Sequence, residues 1–207
     1  MEIQMKPYPP KRLTVYRSIR GFFGPDVAPN FKGYEMIISQ ATKQDIPMIL
    51  DALKTFTTQE KDYYDLVTSR FYSELVAWKY GVLKNHYCLI AKIGGVEGKY
   101  ADMLLGLANG RMQDEKTGIS YHTVALVRGL RVGGHLFAAK MEYHFDILGQ
   151  KEVLLTAETP IGFRRFFEAW RLEKCPGHHE VGAGELYKLP REHYNLVKTS
   201  RVLGERI

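Results

Sequence analysis

The chain has 207 residues, 45% hydrophobic and 25% charged, with nineteen Gly, nine Pro and two Cys. That composition excludes disorder, collagen-like repeats and coiled coil as the main state, and the length suits one domain of roughly 100–200 residues plus some extra chain. The net charge of +6 sits at the ends: residues 1–40 and 188–207 each carry an excess of three positive charges, while residues 41–187 balance.

Residues 1–33 read as a basic arm. Three prolines and no apolar run in residues 1–10 predict no signal peptide. Lys6, Lys11, Arg12, Arg17 and Arg20 alternate with Tyr8, Tyr16, Phe22, Phe23 and Phe31, a mixture that favours extended chain packed on something. Residues 34–40 (YEMIISQ) read as a strand, and Thr42 with Asp45 reads as a capping box. Ile46, Ile49, Leu50, Leu53 and Phe56 then recur at helical spacing, with Pro47 in the first turn. A second helix carries Val67, Phe71, Leu75 and Trp78 on one stripe and stops at Gly81.

Residues 86–93 (HYCLIAKI) and 101–109 (ADMLLGLAN) predict a hairpin, and 118–127 (GISYHTVALV) predicts a further strand. The loop 128–134 (RGLRVGG) leads into a helix with Phe137, Met141, Phe145 and Leu148 buried, closed by Gly149. Residues 152–157 (EVLLTA) read as a buried strand, parallel to the one before the loop because the two form a βαβ unit. Phe163, Phe166, Phe167 and Trp170 line one more helix, Cys175-Pro176-Gly177 reads as a break, and 184–189 (GELYKL) is a last strand. The order β-α-α-β-β-β-α-β-α-β is α/β. Residues 34–190 make the domain and 191–207 a basic tail. No apolar run approaches the ~20 residues of a spanning helix. With two isolated cysteines, Cys88 and Cys175, the expectation is a soluble, cytoplasmic protein with no membrane contact.

Four stretches carry a resemblance: 38–47 (ISQATKQDIP), 87–93 with 104–109, 127–137 (VRGLRVGGHLF) and 166–172 (FFEAWRL). In these, and in element order over about residues 35–190, the sequence resembles the GNAT superfamily of acyl-CoA-dependent N-acyltransferases. The resemblance implies a mixed central sheet flanked by helices, with acetyl-CoA or another acyl-CoA as co-substrate and a primary amine, small-molecule or protein, attacking it directly. The loop after the strand is similar to the family's pyrophosphate cradle, where helix-start N–H groups meet anions. It would use Arg128, Arg131, Val132, Gly133 and Gly134, with Arg131 where a glycine is usual. A backbone N–H around Leu126 or Val127 would polarise the thioester carbonyl. The strand 118–127 has no carboxylate, so His122 is the candidate general base, against the alternative of a satisfied strand histidine. Asp114 and Glu115, just before the strand, are the other candidates, against the alternative of a solvated acidic turn. Phe167 occupies the position of the family's tyrosine acid, and Tyr121, Tyr187 and His135 are the substitutes at hand. Cys175, His178 and His179 lack the spacing of a zinc site, so no metal is expected. The alternative reading is a catalytically inactive GNAT-like component that docks through its basic ends onto an anionic partner or a larger assembly, such as a virus particle or nucleoprotein complex.

Overall fold

The computed structural model describes residues 3–15, 34–59, 64–95, 97–127, 130–156, 167–181 and 184–207. In chain order the strands are β1 (Lys11–Val15), β2 (Tyr34–Gln40), β3 (His86–Gly94), β4 (Leu104–Met112), β5 (Thr117–Ala125), β6 (Glu152–Leu155), β7 (Glu173–His178), β8 (Glu185–Pro190) and β9 (Glu205–Arg206). The helices are α1 (Ile46–Gln59), α2 (Tyr64–Lys79), α3 (Val132–Glu142) and α4 (Arg191–Arg201). A π-helical turn over Tyr143–Ile147 extends α3. The strands form one sheet in the order β7-β8-β6-β5-β4-β3-β2-β1-β9. Every neighbouring pair is antiparallel except β5 and β6, which run parallel as the βαβ connection requires.

Each face of the sheet is covered because successive strand residues point to opposite sides. On β3, Cys88 and Ile90 meet Ile46, Ile49 and Leu53 of α1 and Phe71 and Leu75 of α2. Leu89 and Ala91 meet Leu136, Ala139 and Tyr143 on the other side. α4 closes that second layer, with Tyr194 packed among Phe145, Trp170 and Leu189. The start of α1 is capped as the sequence predicts: Thr42 N–H and Oγ1 both donate to Asp45 Oδ2 at 2.7 Å. Those two bonds hold the Asp45 carboxyl below its usual range. Gly81 and Gly149, at φ 74° and 77°, end α2 and the π turn. No helix among the described residues is long and apolar enough to cross a membrane.

Four elements differ from the sequence reading. Three of them lie in stretches read as basic appendages. Residues 11–15 are β1, pairing with β2 from Lys11↔Ile38 to Val15↔Tyr34. Residues 191–201 are α4, and 205–206 pair with β1 as β9. Lys11 hides the alternation of β1 because it occupies an inward position, where its Nζ lies 3.1 Å from both carboxylate oxygens of Glu142. The fourth is the break at Cys175-Pro176-Gly177, which is part of β7. A register shift between Cys175 and His178 absorbs the Pro and Gly, which an edge strand tolerates. The predicted helix around Phe163 and Phe166 falls mostly outside the described residues, its last turn appearing at 167–170.

Candidate active site

The parallel pair β5–β6 is short. Thr117, Gly118 and Ile119 pair with Glu152, Val153 and Leu154, and among the described residues no strand pairs with β5 on that side from Ser120 onward. Among the described residues, one edge of β5 is therefore open over its second half. Leu126 N–H and Val127 N–H both donate to Leu105 O, at 2.9 and 3.2 Å, so they point to β4 and away from the opening. The expectation that one of them polarises a carbonyl is corrected: their hydrogen bonds are already made. Because N–H groups alternate along a strand, the open edge receives those of Thr123 and Ala125.

At the end of β5 the chain turns into α3. His135 N–H is bonded to Arg131 O at 3.2 Å. Val132, Gly133 and Gly134 precede it, at the positions whose N–H groups a helix start leaves unpaired. Arg131, the N-cap, makes no side-chain cap bond and sits in the left-handed region at φ 59° and ψ 16°. Among the described residues, a Cβ on Gly134 would meet nothing within 4 Å and one on Gly133 only Ala125 Cβ at 3.9 Å, so none of them crowds these two positions of a helix start, where an anion is favoured. These features fit a pyrophosphate. Arg128 lies outside the described residues. α3 comes close to the sheet over Gly106, where a Cβ would stand 2.6 Å from Val124 O and 2.7 Å from Val132 Cγ1.

Midway along β5 the ladder is irregular. Ala108 pairs with Thr123 and Gly110 with Ser120, so Asn109 alone faces both Tyr121 and His122. This bulge turns two consecutive side chains toward α2: the Phe71 ring lies 6.0 Å from His122, and the rings of Tyr121 and His122 stack at 6.4 Å. Asn109 fills the irregularity, accepting His122 N–H at 2.9 Å on Oδ1 and donating Nδ2 to Glu74 Oε2 at 2.5 Å. Glu74 Oε1 lies 3.0 Å from His122 Nε2. The His122 side chain is 1% exposed and that of Glu74 17%, so the carboxylate faces outward with the imidazole behind it. From the opposite face Lys140 of α3, fully buried, donates to His122 O at 3.0 Å and Thr123 Oγ1 at 2.9 Å.

In front of Glu74 is a pocket of about 500 Å³ whose wall includes Val82, Lys84, Arg111, Tyr121 and Glu180. Arg111 donates Nε to Tyr121 Oη at 2.9 Å, and Nε and Nη2 to the two Glu180 oxygens at 2.7 and 2.5 Å. Tyr121 Oη also donates to Glu180. Burial works against the Glu180 charge, yet the Arg111 and Tyr121 donors outweigh it and keep the carboxyl below its usual range. Burial and the Glu180 carboxylate push the Tyr121 phenol upward. Behind Tyr121 the buried His86 ring lies 5.7 Å from it and 5.5 Å from Trp78, and burial lowers its pKa to about 3.

Of the sequence candidates, the structure gathers Val132, Gly133 and Gly134 at one end of the open edge and His122 beside its middle. Phe167 does not line the pocket; its ring lies 5.3 Å from Tyr187, whose Oη donates to Glu185 Oε2 at 2.6 Å. Sequence reasoning missed Glu74, Asn109 and Glu180. Asn109 carried a signal, as a polar residue ending an apolar strand. Glu74, one position off the apolar stripe of α2, and Glu180, in a connecting segment, look like ordinary surface carboxylates.

No protein-family model and no curated protein sequence matches the chain. Solved structures do match its fold. The spermidine/spermine N-acetyltransferase SpeG from Vibrio cholerae superposes over 78% of this chain and 98% of its own, with a TM-score of 0.51 and 12% identity. An acetyltransferase from Streptococcus agalactiae covers 75% of this chain and 98% of its own, with a TM-score of 0.54 and 13% identity. An uncharacterized protein from Bacillus halodurans spans 94% of this chain and 96% of its own at a TM-score of 0.57 and 10% identity. With a split between parallel strands, a bulge beside it and a clear helix start at its mouth, the chain has the fold of the GNAT acetyltransferases.

Proposed function

We propose that the protein transfers an acyl group from acyl-CoA to a primary amine. The observation that carries this reading is the open edge of β5, with unpaired helix-start N–H groups at one end and the Glu74–His122 pair beside its bulge. Val132, Gly133 and Gly134 would hold the pyrophosphate, and the bound co-substrate supplies the acyl group as a thioester along the open edge. Thr123 and Ala125 present the N–H groups that accept negative charge developing on the carbonyl oxygen. The amine enters from the pocket as an ammonium and meets Glu74. Its first proton passes to the Glu74–His122 pair, the nitrogen lone pair forms the bond to the carbonyl carbon, the carbon–sulfur bond breaks toward the thiolate, and the second proton shed by the nitrogen passes through water to that thiolate. His122 thus acts through Glu74, and the pair is the base. The name of the Vibrio relative supports an amine acceptor, and the Glu74 carboxylate supports a cationic one.

The test is calorimetric titration with CoA and acetyl-CoA, followed by an acetyl-transfer assay over a panel of primary amines. Micromolar binding, abolished by Gly133→Leu in a folded protein, is the expected result. Glu74→Gln should leave that binding within about threefold and lower kcat by about 100-fold, the size of a lost general base. No binding at millimolar CoA overturns the reading. Phe167, with no hydroxyl to give, favours a second one: an acyltransferase fold serving as a docking component through its basic ends. Intact CoA binding with no turnover on any amine would select it.

A further inference from the structure

Lys140 is the least expected side chain near the bulge. It lies on the buried face of α3 with no exposure, a place where Leu or Met would pack at lower cost than an ammonium. Among the described residues no carboxylate lies within 4 Å of it, and its donors go to a main-chain carbonyl, His122 O, and to Thr123 Oγ1. In a trans peptide the C=O and the following N–H point in opposite directions. The carbonyl that Lys140 grips therefore belongs to the same peptide unit as Thr123 N–H, one of the two donors turned to the open edge.

We propose that Lys140 is a positioning residue that polarises the His122–Thr123 peptide from behind the sheet, strengthening Thr123 N–H as the donor for the acyl carbonyl. A cation bonded to a peptide oxygen draws electron density from the amide, and its N–H becomes a stronger donor. Such a donor needs no reorganisation when charge develops. Its strength also follows the charge on Lys140. Burial lowers the pKa of Lys140 to about 7, with the Glu74 charge and the Cys88 thiol acting in the opposite sense. Glu74 of α2, Cys88 of β3, His122 and Thr123 of β5 and His144 of the π turn surround it, with the Phe137 ring 5.6 Å away. Below pH ~7 the peptide is polarised; above it the charge is lost, where an ordinary lysine keeps it to ~10.4.

The role in transfer rests on the acyl-transfer reading above, while the polarisation can be measured without it. In the full-length, unliganded protein labelled with nitrogen-15, the Thr123 amide resonance should shift with an inflection near pH 7 that coincides with the titration of Lys140 Nζ. The inflection should vanish in Lys140→Met. Its persistence there would assign it to the neighbouring His122 imidazole and overturn the proposal, as would a Thr123 amide that ignores pH. In turnover, Lys140→Met should lower kcat about 10-fold while KM for acetyl-CoA stays within about twofold, the pattern of an interaction strengthened in the transition state. Lys140→Gln, which keeps a neutral donor, should recover part of that loss. An unchanged kcat in folded Lys140→Met and Lys140→Gln removes the catalytic role. A coincident Thr123 inflection in a protein that transfers no acyl group would do the same, and the acyl-transfer reading would fail with it.

Discussion

Arg131 holds a backbone conformation that costs an L-residue roughly 1 kcal/mol relative to glycine. Its side chain makes no cap bond that would offset the cost. Arg131→Gly should therefore raise the unfolding free energy by about 0.5–1 kcal/mol, the glycine losing some of the gain to its freer unfolded chain. Urea unfolding checks this: the midpoint should rise with the slope unchanged. CoA affinity measured on the same variant separates the two uses of the position. A fall in affinity would show the guanidinium contacting phosphate, and no change would leave its role to the backbone alone. The position was legible in the sequence, where an arginine replaces a usual glycine. Glu74 was not, because nothing in the sequence says which surface carboxylate a bulge on a distant strand will meet.

Two packing devices set the site at the level of elements. The bulge at Tyr121 and His122 puts neighbours in sequence on one face, and Gly106 lets α3 settle onto β4. Gly106→Ala puts a methyl against Val124 O of β5, a backbone contact with no flexible end to yield, and against Val132 and Leu136 of α3, which must move outward. The expected cost is about 1–3 kcal/mol, as for other overpacked cores. Since α3 carries the anion cradle, CoA affinity should fall about 10-fold, read by calorimetry alongside the thermal midpoint. The central elements were legible because their apolar residues keep a clear period: α1, α2, the β3–β4 hairpin, and the parallel β5–β6 pair. The edge elements were not. β7 contains Pro176 and Gly177, which mimic a turn, and β1 has a lysine at an inward place. α4 buries only Tyr194 among the residues of its stripe, too little pattern to stand out. The bulge leaves no sequence mark except Asn109, since residues 118–127 mix apolar, aromatic and small residues without a clean alternation whose phase could show the shift.

Across the whole molecule, Glu142 at the end of α3 joins segments far apart in sequence. It accepts from Tyr8 Oη at 2.9 Å and Lys11 Nζ at 3.1 Å, and pairs with Arg206 at 2.6 Å. Burial lowers the Lys11 pKa, with the Glu142 carboxylate acting in the opposite sense. Removing one partner from a buried ionic cluster leaves the others uncompensated. Glu142→Ala should cost about 3–5 kcal/mol. Hydrogen exchange should show protection lost first in β1 and β9, with β3 and β4 changing least. Equal loss across the sheet would mean that the cluster does not tie these strands locally. The charge excess at the ends, read in sequence as a sign of appendages, is thus partly spent inside the fold, where Lys11 and Arg206 meet one carboxylate.

The open edge of β5 also has a mechanical meaning. Among the described residues, three pairs join β5 to β6, against seven joining β3 to β4, so the nine-stranded sheet has a seam there. On one side lie β9, β1, β2, β3, β4 and β5, and on the other β6, β8 and β7. Under load applied through handles on β2 and β8, the first rupture should run along that seam at low force, and the larger piece should yield later. The groove that would admit a thioester is also the line of fewest pairs between those two handles.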